Sequence, residues 1–115
     1  MRTLNGLGEA IEDGSAFLNK VIQRDPLLPE TDYNDGLQYI NGSQKAQEVL
    51  LQLLEESTNN GTSQFKFKLS RAYHYKDRRK GNLFIVHLLV DRNSRHPHIF
   101  LHFNSKGEFV EVSFA

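Results

Sequence analysis

After Gly61 the apolar residues change period. Upstream they recur every three or four positions; downstream Phe65, Phe67, Leu69, Tyr73 and Tyr75 alternate with Lys66, Lys68, Ser70, Ala72 and His74. A helix gathers residues 3.6 apart onto one face and a strand gathers residues two apart, so no single element satisfies both patterns. The switch predicts helices first and strands after, an α+β chain with its two kinds of element segregated.

In the second half, "KDRRKGN" turns the chain at 76–82, "NLFIVHLLV" runs to Val90, "DRNSRHP" turns it again, and "HIFLHF" and "EFVEVSF" flank "NSKG". These apolar runs bounded by turn residues predict four strands in a curved antiparallel meander. In the first half, Leu4, Leu7, Ile11, Leu18, Val21 and Ile22 follow Thr3 at helical spacing and predict an amphipathic helix. Residues 25–42 carry Pro26, Pro29 and the run Asn34-Asp35-Gly36, and read as a loop with room for one short strand at the apolar stretch Leu37 to Ile40. Ser43 then N-caps a second helix whose stripe is Ala46, Val49, Leu50, Leu53 and Leu54, stopped by Asn59, Asn60 and Gly61. The expectation is two N-terminal helices packed on a four-stranded sheet, one domain spanning residues 1–115.

Fourteen basic residues balance fourteen acidic ones, so no whole-protein field draws the molecule to nucleic acid or anionic lipid. The charged "KDRRKG" reads as a solvated turn. The absence of cysteine excludes disulfides, thiolate zinc sites and a cysteine nucleophile. No apolar run approaches the roughly 20 residues of a membrane span, and "MRTLNGLGEAIEDGS" has no apolar leader core. These features predict a soluble, cytoplasmic protein without membrane or nucleic-acid partners.

Three of five histidines fall within "HPHIFLHF", residues 96–103. A short loop through Ser105, Lys106 and Gly107 sets Leu101 opposite Val110 and Ile99 opposite Val112, and the period of two sends His98, Phe100 and His102 to the other side with Phe109 and Glu111. In "NLFIVHLLV" both alternating sets are apolar or nearly so, which leaves the phase open; if the uninterrupted set Phe84, Val86, Leu88 and Val90 faces the helices, Leu83, Ile85, His87 and Leu89 lie outward. Two helices cover one face, so an apolar outer strip implies a partner, in the first instance a second copy. The candidate interface is Ile85, His87, Leu89, Phe100, His102 and Phe109. The outward histidines lack metal-ligand spacing, and neither a metal nor a cofactor is expected. The alternative reading is a small-ligand pocket between helices and sheet, lined by Tyr39, Arg71 and Tyr73 on the core-facing side.

The stretches "YINGSQKAQEVLLQLLEE" and "HIFLHFNSKGEFVEVSF", a turn glycine before a helix and a closing hairpin, resemble the nuclear transport factor two-like superfamily, with its cone-shaped cystatin-like α+β fold. The resemblance covers residues 33–114. It implies either a non-catalytic dimeric binding domain or an enzyme of the dehydratase or isomerase kind with an acid-base residue inside the cone. The inward sets carry no such Asp or His, and Arg71, Tyr73 and Glu108 are the nearest substitutes. A non-enzymatic dimerisation or protein-binding domain is therefore the first expectation.

Overall fold

The computed structural model describes residues 21–59, 67–90 and 96–115. Within them run β1 (Ile22–Arg24), α1 (Glu30–Asn41), α2 (Gln44–Asn59), β2 (Phe67–Asp77), β3 (Gly81–Leu89), β4 (His98–Asn104) and β5 (Phe109–Phe114). Five strands form one sheet in chain order, and β2 to β5 are the expected antiparallel meander. Both helices pack on one face of it.

Two elements differ from the sequence reading. Ile22 is the first residue of β1, which pairs parallel with β2 and sets Ile22 opposite Phe67. A three-residue strand is too short to show a period, and its partner lies across the whole helical region, as parallel pairing requires. The remainder of the expected first helix, residues 3–20, lies outside the described residues, as do Phe65, Lys66, Asn60, Gly61 and the turn 91–95.

Residues 30–41, read as loop, are α1. Pro29 precedes it with an extended ψ of 145°, and Glu30 and Asp32 place negative charge in its first turn, where the helix dipole favours it. Its buried face is Gly36 and Ile40, with Tyr33, Leu37 and Tyr39 partly buried. Gly36 masked this helix because glycine reads as a breaker, yet here it permits close approach: a Cβ would lie 3.0 Å from a Leu69 methyl and 3.5 Å from Ala72. Tyr33 fixes the helix to the sheet edge by donating its hydroxyl to the Ile22 carbonyl at 2.8 Å.

The second helix follows expectation. Ser43 Oγ accepts the Ala46 amide at 3.1 Å, and Gln47 donates its buried amide to the carbonyls of Ile40 and Asn41, which closes the end of α1. Ala46 and Leu50 are fully buried against Phe67, Leu69, Val86, Leu88, Ile99, Leu101 and Phe103. Two turns complete the sheet. Asp77 Oδ1 accepts the amides of Arg79 and Lys80 before Gly81 at φ 79°, and Asn104 Oδ1 accepts those of Lys106 and Glu108 around Gly107 at φ 84°.

Candidate functional site

Residues directly opposite on neighbouring strands point to the same side of the sheet. Phe84 pairs with Phe103, Val86 with Leu101 and Leu88 with Ile99, and all six belong to the core under the helices. The uninterrupted apolar set of β3 therefore faces inward, which decides between the two phases its sequence allowed. Ile85, His87, Leu89, Phe100 and His102 lie together on the outer face, from which the two described helices are absent.

Phe109 does not join them. It pairs with Phe103, meets its ring edge-on at 5.8 Å and packs on the core, while His102 pairs with Glu111. Val110 is an extra residue between these pairs, and this bulge together with a one-residue shift at the turn aligns Leu101 with Val112 and Ile99 with Phe114, two positions on from the expected register.

A second bulge re-sorts β2. Leu69 pairs with Leu88 but Arg71 pairs with His87, which leaves Ser70 unopposed and reverses the phase of everything after it. Arg71 and Tyr73 consequently lie on the outer face, with the guanidinium carbon 4.6 Å from the Tyr73 ring centroid. Tyr39 is on the opposite side, stacked on Phe84 at 4.1 Å. The pocket expected from Tyr39, Arg71 and Tyr73 is thus not assembled. His74, which strict alternation with Tyr73 would put outward, faces in beside Phe84. The signal was present in the sequence: after Leu69 the next small apolar residue is Ala72, an odd number of positions on.

The outer face is organised in cross-strand rows. Lys68, Leu89 and His98 form one, Arg71, His87, Phe100 and Ser113 the next, and Tyr73, Ile85, His102 and Glu111 the third. Rings cover its centre. His87 stacks on Phe100 with centroids 4.4 Å apart and on His98 at 5.2 Å, and its Nε2 lies 3.0 Å from His98 Nδ1. Two aliphatic side chains of β3 are already enclosed: Leu83 and Ile85 are each only 3% exposed. What this face offers a partner is therefore the half-buried His98–His87–Phe100 platform with Leu89 and Tyr73 beside it.

Electrostatics favour uncharged rings there. Burial holds the His87 imidazole below its ordinary value of 6.5, and the neighbouring His98 and Arg71 push the same way. Burial likewise lowers His102, against the opposing pull of Glu111. His102 Nε2 lies 3.1 Å from Ser113 Oγ, and its Nδ1 is buried without a hydrogen-bond partner among the described residues. Lys80 reaches from the β2–β3 turn to Glu111 and ties the two ends of this face together. That ion pair and its hydrogen bond hold the Glu111 carboxyl below its usual value.

Among the described residues no group of three or more His, Asp or Glu side chains is placed to hold a metal ion, and no helix is long and apolar enough to cross a membrane. No family model, curated protein or solved structure matches this chain.

Proposed function

We propose that the protein is a non-enzymatic interaction domain whose outer sheet face binds a second copy of itself. The observation that carries this reading is the His98–His87–Phe100 stack, three rings packed face to face on β3 and β4 on the side away from the helices.

The face is self-complementary about a two-fold axis along the seam between β3 and β4. Such an axis lays β3 over the partner's β4, so that His87 meets Phe100 and Phe100 meets His87, and lays β2 over the partner's β5. The cations Lys68 and Arg71 are on β2, while Glu111 and Ser113 are on β5, so opposite flanks carry complementary polarity. Zero formal net charge adds no long-range repulsion between copies. Strands of seven to nine residues in β3 and β4, with a neighbour on each side, give a face roughly 15 by 25 Å, smaller than a standard interface and so suited to a weak, concentration-dependent dimer. This use of the sheet accords with the nuclear transport factor two-like reading, in which many domains are dimers without catalysis.

Sedimentation equilibrium of the full chain at about pH 7.5 tests it, with Phe100→Asp as the control. A mass of twice the chain that falls to one chain in Phe100→Asp, with an unchanged circular dichroism spectrum, is the expected result. A monomer at all concentrations up to those of structural work overturns it.

A further inference from the structure

The helix-facing side of the sheet carries an opening of its own, at the end remote from β1. It is a cavity of about 500 Å³ bounded by Tyr39 of α1, His74 and Lys76 of β2, Asn82 and Phe84 of β3, and the β4 terminus. A second hollow of about 410 Å³ lies against Tyr39 as well, beside Gln38, Gly42 and Gly107. Both volumes fall in the range of small-molecule sites.

Three features decide what such a cleft would take. His74 pairs with Phe84 and Lys76 with Asn82, so these four side chains share the helix-facing side and converge on the opening. One wall is aromatic: Tyr39 lies over Phe84 at 4.1 Å and 13°, and the His74 ring meets Phe84 edge-on at 5.1 Å. No carboxylate lines the cavity, while Lys76 and His74 do, and Lys76, His74 and Asn82 make no side-chain hydrogen bond or ion pair among the described residues. Glu108 accepts the side-chain amide of Asn104, at the rim of the cavity, at 2.9 Å.

We infer that this cleft binds a small organic carboxylate with a flat unsaturated body. The carboxylate accepts from the Lys76 ammonium and the Asn82 amide, and the flat part lies against Tyr39 and His74. Charge-assisted bonds orient the acid group, and the stacked rings supply the apolar contact a bare anion cannot use. The site is independent of the outer-face interaction, because Arg71, His87 and Phe100 point the other way.

Benzoate, its neutral isostere benzamide and inorganic phosphate are titrated into the full ¹⁵N-labelled protein, followed by amide chemical shifts. Saturable benzoate shifts centred on residues 74–76, 82–84 and 104–105 are expected, with benzamide and phosphate each weaker by about tenfold or more. Lys76→Gln should weaken benzoate about tenfold with the rest of the spectrum unmoved, and Tyr39→Leu gives a second variant that removes the ring wall but keeps the cation. Equal shifts from benzamide, tighter binding of phosphate, or benzoate shifts scattered over the surface would each overturn the assignment.

Discussion

His87 and Phe100 lie face to face on neighbouring strands, their ring centroids 4.4 Å apart and their planes 8° from parallel. They are cross-strand partners on β3 and β4, so the strand register itself brings the rings together. Aromatic pairs of this kind contribute about 0.5–1.5 kcal/mol beyond their area burial. A double-mutant cycle with His87→Ala and Phe100→Ala, read by urea unfolding, should return a coupling in that range. Strictly additive losses would show that the contact is only geometric.

Stability should fall as the solution is acidified through the ordinary histidine range. His87 and His102 are both held below 6.5 in the folded protein, chiefly by burial. Between the lowered folded values and 6.5 the unfolded chain binds more protons, so stability rises with pH there. The contribution is complete above 6.5 and is lost as pH drops through that value toward the folded ones. The groups around the two rings are His98, Arg71, Glu111, Lys80 and Asp77. Asp77 and Glu111 have lowered carboxyls, and their contribution is lost only at lower pH, below the usual carboxyl values of 3.8 and 4.5. Urea midpoints at fixed chain concentration from about pH 8 to about pH 5 provide the check. A flat profile in wild type, or one unaltered in His87→Phe and His102→Leu, would refute the link.

Protonation also charges the surface proposed to meet its copy. Like charges then face each other across the two-fold, with His87 of one chain near His87 of the other. The dimer dissociation constant should rise on going from about pH 7.5 to about pH 5.5, and a chelator should have no effect at either pH. Chelator-sensitive association would instead point to a metal bridge.

Ser43→Ala should cost about 1 kcal/mol, the usual loss when a capping hydroxyl is removed. Its Oγ accepts the Ala46 amide at 3.1 Å in a buried setting, so no water replaces it readily. Thermal unfolding compared with Ser43→Asp, which restores an acceptor, separates the cap from simple packing. Equal losses in both variants would assign the effect to packing.

Gly36→Val should destabilise by about 1–3 kcal/mol although valine has the higher helix propensity. The first added carbon already sits 3.0 Å from Leu69, a fully buried side chain with nowhere to move. A neutral or stabilising result in urea unfolding would mean that α1 can lift from the sheet.

The period change after Gly61 already dictated the strands of the second half, and the Ser43 cap with its stripe already marked α2, whereas the phase of β3, apolar on both sides, came from its pairing with β4. Alternation is local and obligatory, so Phe100 and His102 had to lie on the side away from Ile99 and Leu101, while His87 is outward because Val86 and Leu88 pair with Leu101 and Ile99. The position of Phe109, Arg71, Tyr73 and His74 was decided by two bulges, at Val110 and Ser70, and a bulge answers to the register of the neighbouring strand. The same holds for α1, whose glycine reads as a break until Leu69 is known to lie against it, and for β1, whose three residues acquire an identity only beside Phe67. Periodicity reports what a segment does by itself; which side a bulged strand presents, and where two backbones must come close, depend on partners distant in the chain.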